Sequence, residues 1–179
     1  MSVKYKTKVD KMTKMITTME NLNGRKVHVG ALQGEHAWLA GIHEYGCKIP
    51  VTDKMRKYLA AQGLHLNKST KYITIPERSF LRSGHDKYAE EVVKNCEMAL
   101  GQFIDGKMSM SAWLDAYGQM MADKIKLYMR DLNSPPNHPF TINQKGSSNP
   151  LVDTGNLVES ITWQKKYGKR AKKSKKTGK

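Results

Sequence analysis

Residues 86–132, DKYAEEVVKNCEMALGQFIDGKMSMSAWLDAYGQMMADKIKLYMRDL, decide the fold because helical periodicity dominates them. Apolar residues recur at spacings of three and four in two stretches, 86–104 and 109–132, which predicts two helices with one apolar face each. Gly106 between them suits a tight reversal, and Ser109 can cap the second helix. We therefore predict an antiparallel helical hairpin.

Three short segments outside the hairpin have the pattern of strands. Residues 26–32 alternate between two faces, and residues 161–163 begin a last strand. Residues 72–75 form another, which ends at Pro76 because proline cannot donate to a strand ladder. The strands and helices do not follow the βαβ order of a parallel sheet.

Two further helices are predicted before the hairpin, over 4–22 and 35–45, and the second of them should end at Gly46. The predicted apolar stripe of the second helix consists of Trp38, Leu39, Ile42 and Tyr45.

The order of these elements indicates an α+β fold, in which a small, mainly antiparallel sheet carries packed helices including the long hairpin. We expect a single domain over residues 1–164. It contains an insertion loop at 47–70, with one helical turn near 54–61, and a Pro-rich loop at 133–152. Residues 165–179 are expected to form a flexible basic tail.

The composition supplies enough apolar material for a packed core. Of the 179 residues, 39% are hydrophobic and 26% are charged, which excludes wholesale disorder. No stretch approaches the roughly 20 consecutive apolar residues of a membrane span, and residues 1–6 lack the apolar segment of a secretory signal. With only Cys47 and Cys96 present, we expect free thiols in a reducing cytosol.

Basic residues are concentrated at the C-terminus. The chain has 31 Lys and Arg against 16 Asp and Glu, a net charge of +15, but nine of these basic residues and none of the acidic ones lie at 165–179. Residues 1–164 therefore carry +6. A block of like charge stays solvated until it meets a partner, and nucleic acid and an acidic protein surface both fit. The nine residues are Lys165, Lys166, Lys169, Arg170, Lys172, Lys173, Lys175, Lys176 and Lys179.

The stretch Gly101–Lys107 has the glycine and lysine spacing of a phosphate-binding loop. Position 108 is Met where that motif needs a magnesium-binding hydroxyl, and a helical pattern precedes it where the motif needs a buried strand. An ordinary turn between two helices is the better interpretation.

The sequence His43-Glu44-Tyr45-Gly46-Cys47 resembles a zinc-protease signature with Cys in place of the second His. Together with His36, seven residues before His43, it defines one candidate class, a metal-dependent hydrolase. Gly46 is expected to end the helix within the motif, so we favour histidines at the surface or at the edge of the core.

No other cluster points to catalysis. Glu90 and Glu91 are adjacent on a helix and point in different directions, Cys96 lies on an apolar stripe, and Ser147 and Ser148 lack a local His–Asp partner pattern. We therefore expect no enzymatic activity, no catalytic residue, no metal and no cofactor.

Three segments, taken in order, resemble one known family. The first runs from Val29-Gly30 through Ile42-His43-Glu44-Tyr45-Gly46 to Ile49-Pro50, the second is IPERSFLR at 75–82, and the third is KGSSNPLVDTGNL at 145–157 followed by Ser160-Ile161-Thr162. This pattern spans about three quarters of the chain and resembles the virion-morphogenesis or tail-completion family of tailed bacteriophages. Ser79 stands where a second proline is common, and the 47–70 link is longer than usual.

The resemblance implies a structural virion protein, because members of that family are neck or minor tail components. It implies a homo-oligomeric ring around the DNA channel at the head–tail junction, expected to be a hexamer, in contact with neighbouring neck, tail terminator or tail tube proteins. The DNA in the channel is a further expected contact, and no membrane partner is implied. The protein would lie in the virion, and in the host cytoplasm during assembly. The family-motif residues are Glu44, Gly46, Pro76, Arg78, Phe80, Leu81, Arg82, Lys145, Gly146, Leu151, Asp153, Thr154, Gly155, Leu157 and Ser160.

The types of these residues suggest physical roles. Arg78 and Arg82, four apart, can share a helical face and bind carboxylates with two hydrogen bonds each, while Phe80 and Leu81 supply apolar anchors. In the 153–155 segment, the Asp or Thr can cap the short helix that follows, and the Gly allows close backbone approach.

The alternative function is nucleic-acid binding through the Lys-rich C-terminal tail. Contacts of its nine cations with phosphates would make binding steeply dependent on salt. The two functions are compatible, because a neck ring encloses DNA.

Overall fold

The computed structural model describes residues 24–167 and, before them, positions 13, 16, 17, 20 and 22. The five isolated positions have helical backbone, and the rest of the helix predicted at 4–22 lies outside the described residues. The elements of the described part are β1 (Arg25–Ala31), α1 (Gly34–Tyr45), β2 (Cys47–Pro50), α2 (Asp53–Ala61), β3 (Tyr72–Ile75), α3 (Phe80–Ile104), α4 (Met110–Asp131), α5 (Pro139–Lys145), α6 (Asn156–Glu159) and β4 (Ile161–Tyr167). The α+β class is confirmed.

Helices α3 and α4 form the predicted antiparallel hairpin. Gly106 in the turn has a φ of +75°, a backbone conformation that glycine adopts at little cost. The hydroxyl of Ser109 accepts a hydrogen bond from the Ala112 N–H at 3.1 Å, so the predicted cap is confirmed. α3 begins six residues earlier than its apolar periodicity indicates, because a side chain from another helix caps it there, as described below.

Strands β1 and β4 pair along their whole length, from Arg25 opposite Tyr167 to Ala31 opposite Ile161. Their antiparallel ribbon packs against α4. Because β4 continues to Tyr167, Lys165 and Lys166 belong to a strand, while positions 168–179 of the predicted tail lie outside the described residues.

Residues 47–75 form a second antiparallel ribbon, which we call the arm. In the arm β2 pairs with β3, from Cys47 opposite Ile75 to Pro50 opposite Tyr72. Helix α2 belongs to the segment that connects the two strands in sequence. The prediction of an irregular loop over 47–70 is therefore wrong, although the helical turn expected near 54–61 is present and extends to nine residues. The missed strand β2 ends in Pro50, and a proline argues against a strand because it cannot donate to a ladder.

The core lies between the hairpin, the β1–β4 ribbon, α1 and α6. Its largest fully buried side chains are Phe80, Val92, Met121, Met129 and Ile161. Cys96 also lies in this cluster, and burial raises the pKa of its thiol, as expected for a core residue. No helix in the described part is long and apolar enough to cross a membrane.

The predicted apolar stripe of α1 is wrong for Trp38 and Tyr45, whereas Leu39 packs at the edge of the core and Ile42 is half-buried. Trp38 and Tyr45 are 71% and 69% exposed, whereas the buried residues of this helix are Ala40 and Glu44. The inward face of α1 is set by a hydrogen-bonded carboxylate and a small residue, a combination that apolar periodicity does not detect.

Two further expectations about the C-terminal third need correction. The 133–152 segment contains a helix, α5, which begins at Pro139 and ends at Gly146. Neither Asp153 nor Thr154 caps α6, since the N-cap position is Gly155, with a φ of +87° and no side-chain cap. A Cβ at Gly155 would meet no described atom within 4 Å, so glycine is needed there for its backbone conformation and not for close approach.

Gly118 of α4 gives the clearest test of packing between the hairpin and the ribbon. A Cβ at this position would lie 2.5 Å from Cγ and 2.9 Å from Cβ of Trp163. We expect Gly118→Ala to lower the free energy of unfolding by about 1–3 kcal/mol through overpacking, as measured by urea denaturation. Gly101→Ala in α3 is the matched control, because a Cβ there meets nothing within 4 Å and should stabilise the helix by up to about 1 kcal/mol. Equal stabilisation by both substitutions would contradict this packing.

Candidate functional site

The carboxylate of Glu44, at the end of α1, caps the N-terminus of α3. The side chain is 3% exposed, and its oxygens accept hydrogen bonds from the backbone N–H groups of Leu81 at 2.8 Å and Arg82 at 3.1 Å. These N–H groups have no partner within their own helix, and the helix dipole favours a negative charge at this end. Glu44 thus fixes the direction in which the 25-residue α3 leaves the loop before it.

Arg82 neutralises this buried charge. Its Nε donates to Glu44 Oε1 at 2.9 Å, and its Nη2 donates to the Glu44 backbone carbonyl at 3.0 Å and to Glu77 Oε1 at 2.6 Å. Its guanidinium also lies 5.0 Å from the centre of the Tyr45 ring. The hydrogen bonds that Arg82 donates to Glu44 and Glu77 raise its pKa, and the carboxylate pairing expected for this residue is present.

The close approach of α1 to the start of α3 requires the glycine at position 46. Gly46 has a φ of +68°, and a Cβ would lie 2.8 Å from the Glu77 nitrogen and 2.9 Å from the Ile75 carbonyl oxygen. Both atoms are backbone and cannot move aside without shifting β3. The link between β3 and α3 therefore runs directly beside the end of α1.

Arg78 also connects distant segments, but it does not bind a carboxylate as its spacing from Arg82 predicts. It precedes α3, is 4% exposed, and donates from Nε to the Pro135 carbonyl at 2.9 Å and from Nη2 to the Pro136 carbonyl and Asn137 Oδ1, each at 3.2 Å. Within the described chain, no carboxylate lies within ion-pair distance of it. The prediction that Arg78 shares a helical face with Arg82 and binds a carboxylate is wrong, because its guanidinium satisfies carbonyl groups of the Pro-rich loop.

His43 lies against this buried cation. Its Nδ1 is 3.4 Å from Nη1 of Arg78, and its carbonyl accepts the Arg78 backbone N–H at 2.7 Å. Burial, followed by the positive charges of Arg78 and Lys145, lowers the pKa of His43 from 6.5 to about 4. The ring is therefore neutral at pH 7, and its Nδ1 can accept a hydrogen bond from the guanidinium.

Asn149 joins the third motif segment to the hairpin. Its Nδ2 donates to the Arg130 carbonyl at 2.8 Å at the end of α4, and its Oδ1 accepts the N–H groups of Leu151 and Val152 at 2.8 and 2.9 Å. Its own carbonyl accepts a hydrogen bond from Lys145 Nζ at 3.0 Å. The Asn149 side chain thus satisfies backbone groups at the end of α4 and in the segment that follows Pro150.

The structure brings the three motif segments to one place, which we call the junction cluster: His43, Glu44, Arg78, Arg82, Lys145 and Asn149. His43 and Glu44 belong to the first segment, the two arginines to the second, and Lys145 and Asn149 to the third. Asn137 connects the second and third, since it accepts from Arg78 and donates to the Asn149 carbonyl at 3.4 Å.

The remaining motif residues are distributed between the core and the backbone turns. Phe80, Leu151 and Leu157 are buried, and Leu81 packs at the edge of the core. Pro76 directly follows the last residue of β3. The Ser160 hydroxyl donates to the Leu157 carbonyl at 2.7 Å. Asp153 and Thr154 are exposed.

A separate polar site fastens β4 to α4. Asp115 accepts hydrogen bonds from Lys165 Nζ at 2.7 Å and from Trp163 Nε1 at 3.3 Å, and Lys165 also donates to Ser111 at 2.7 Å. Its hydrogen bonds with Lys165 and Trp163 lower the pKa of Asp115. Lys165 is thus part of the folded body and not a free tail charge.

The two alternative sites considered from the sequence are not assembled. No group of three His, Cys, Asp or Glu side chains within the described residues could hold a metal ion, and His43 Nδ1 faces Arg78 instead of His36 or Cys47. The Gly101–Lys107 stretch spans the last turn of α3 and the connection to α4, as the turn interpretation predicts.

Sequence reasoning missed Asn149, Asn137 and Asp115. Asn149 lies inside the third motif segment, next to Pro150, and an Asn before a proline turn was an available signal. The roles of Asn137 and Asp115 depend on partners 59 and 50 residues away in sequence, for which the sequence alone contains no signal.

Comparison with family models, with curated proteins and with solved structures found no match for this chain.

Replacement of the capping carboxylate tests the junction cluster. Glu44→Gln removes the charge and turns an amide NH₂ toward backbone donors, so we expect a loss of about 2–4 kcal/mol in the free energy of unfolding. Glu77→Gln is the matched control: Glu77 also binds Arg82, but its side chain is 53% exposed, so the expected loss is below about 1 kcal/mol. Similar losses for the two variants in urea denaturation would show that the cap is not the important contact.

The lowered pKa of His43 predicts a pH dependence of stability. Its pKa is 6.5 in the unfolded chain and about 4 in the folded one, so between these values the unfolded state binds more protons and stability falls as the pH decreases. The loss should be at most about 3 kcal/mol, because the ring is only partly buried. We expect His43→Gln to flatten the free energy of unfolding between pH 6.5 and 4, as measured by urea denaturation. An unchanged slope in this variant would exclude His43 as the titrating group.

Proposed function

We propose that this chain is a structural, non-enzymatic protein of a tailed-bacteriophage virion, of the neck or tail-completion type, and that it forms part of a ring at the head–tail junction. One observation carries the proposal. The three segments of the family resemblance lie far apart in sequence, yet their polar residues meet in the junction cluster. The first two segments share hydrogen bonds directly, and the third joins them through Asn137, which contacts both Arg78 and Asn149.

The chemistry of the junction cluster supports a structural role. Glu44 binds backbone N–H groups, Arg78 binds backbone carbonyls, and Asn149 binds both kinds of group. Such contacts hold chain segments in a fixed relative position, and the ionised groups are occupied with them. A ring subunit needs this stability, because it must present two different surfaces at a fixed angle for the ring to close.

The presence of the chain in particles is the direct test. We expect mass spectrometry of purified virions to detect it as a multicopy component, and electron microscopy of particles carrying a labelled copy to place it at the head–tail junction. Production without it should yield filled heads and tails that fail to join. Its absence from purified virions, with joined particles still formed, would overturn the proposal.

Nucleic-acid binding through the basic C-terminus is the second candidate function. It is favoured by the seven basic residues in 168–179, a segment with no acidic residue. Lys165 differs from these seven residues, because it donates a hydrogen bond to Asp115 within the folded part of the chain. The structure therefore places the appropriate truncation after Tyr167, which leaves β4 intact.

A salt titration on duplex DNA tests this candidate. The log–log slope of affinity against salt should be steeper for the full chain than for a version that ends at Tyr167, by up to about 6, since each phosphate contact contributes about 0.9. Equal slopes would mean that an acidic protein surface, and not DNA, is the partner of this segment.

A further inference from the structure

The arm is the most positively charged part of the described chain. Residues 47–75 contain six basic residues, Lys48, Lys54, Arg56, Lys57, Lys68 and Lys71, and one acidic residue, Asp53. The arm thus accounts for +5 of the +6 carried by residues 1–164. None of its 29 residues is buried, so the arm extends from the core and exposes most of its side chains.

One basic residue of the arm is used internally. The Arg56 guanidinium donates to the carbonyls of Leu66, Asn67 and Thr70 at 3.2, 2.9 and 2.9 Å. These bonds hold the segment after α2 against the helix. They leave the opposite face of α2 to solvent.

That face of α2 has a distinct composition. Lys54, Lys57, Tyr58 and Ala61 recur at helical spacing and are all exposed, and Tyr58 is 63% exposed. The α2 face therefore presents an aromatic ring together with two ammonium groups, neither of which forms an ion pair with a described residue.

Two carboxylates and two apolar side chains form a stripe on the outer face of helix α3, and the exposed Lys94 lies beside them. Glu90, Val93, Glu97 and Ile104 are spaced by three, four and seven residues, which places them in one stripe along the helix, and all four are exposed. Val93 and Ile104 are 46% and 41% exposed. Neither Glu90 nor Glu97 forms an ion pair within the described residues. We call these four residues the α3 stripe.

We propose that the α2 face of one copy packs on the α3 stripe of a second copy of this chain. The two surfaces are complementary in charge and both contain apolar area: Tyr58 lies one helical turn after Lys54 and next to Lys57, and Val93 lies between Glu90 and Glu97. Ion pairs between them would surround an apolar contact, as is usual for an interface with a polar rim.

A nucleic acid as the main partner accounts for only one of the two surfaces. It would account for the cations of the arm, but the carboxylates of Glu90 and Glu97 repel phosphates, and a phosphate backbone gives no cover to Val93 and Ile104. A second copy accounts for both surfaces at once.

The contact is head-to-tail, because the two surfaces are different and lie on different elements. Such contacts close into a ring when the rotation between neighbours allows it, so this inference rests on the proposed ring function and supplies its interface. The face of a nine-residue helix is small, so we expect each pairwise contact to be weak and the closed ring to gain from having no free end.

Charge reversal on each surface separately tests the interface. Sedimentation velocity of the full chain from about 10 µM to about 1 mM should show self-association that weakens with salt. Lys54→Glu/Lys57→Glu and Glu90→Lys/Glu97→Lys should each sediment as monomers. An equimolar mixture of the two variants should associate again, because each arm then meets a stripe of opposite charge. Lys26→Glu/Lys166→Glu is the control for the lysine reversal, since it makes the same change in net charge as Lys54→Glu/Lys57→Glu at exposed positions of the β1–β4 ribbon. It should associate like the parent chain.

Three outcomes would overturn the interface. These are a parent chain that stays monomeric over this range, association that survives both reversals, and a mixture that fails to associate. If the arm reversal abolishes binding to duplex DNA and leaves association unchanged, the arm serves nucleic acid instead. Any of these results can occur while the chain is still found in virions, so failure of the interface is distinguishable from failure of the proposed function.

Discussion

The capping of α3 by Glu44 is the contact on which the rest of the structure depends. A long helix begins with N–H groups that its own backbone cannot satisfy, and here a buried carboxylate from another helix satisfies two of them. Since Arg82 then neutralises that carboxylate and reaches Glu77, the ends of α1 and β3 are fixed relative to the start of α3. The hairpin, the arm and the core all take their positions from this point.

Three other side chains also hold together segments that are distant in sequence. Arg78 fastens the Pro-rich loop to the region before α3, Asn149 fastens the third segment to the end of α4, and Asp115 fastens β4 to the start of α4. In each case one side chain satisfies groups that are distant in sequence. A body built in this way resists change of shape, because removing one partner leaves another buried polar group unsatisfied.

The helical hairpin, the terminal strands and the α+β class could be predicted from sequence because apolar periodicity reports directly on helix and strand faces. The inward turn of Glu44 could not, since its partners are backbone groups 37 and 38 residues away and a Glu among apolar residues normally faces water. With Glu44 and Ala40 on the inward face of α1, Trp38 and Tyr45 are exposed to solvent. The sequence predicted related roles for Arg78 and Arg82. Their partners differ because Arg78 precedes α3 and Arg82 lies within it.

The pairing of Arg25 with Tyr167 has a consequence for the chain outside this ribbon. The segment before Arg25 contains five lysines and two acidic residues, and the segment after Tyr167 contains seven basic residues and no acidic one. Adjacent strands lie only about 5 Å apart. The two points at which these segments join the ribbon, Arg25 and Tyr167, therefore lie side by side. A partner that binds at this end of the ribbon meets both points at once.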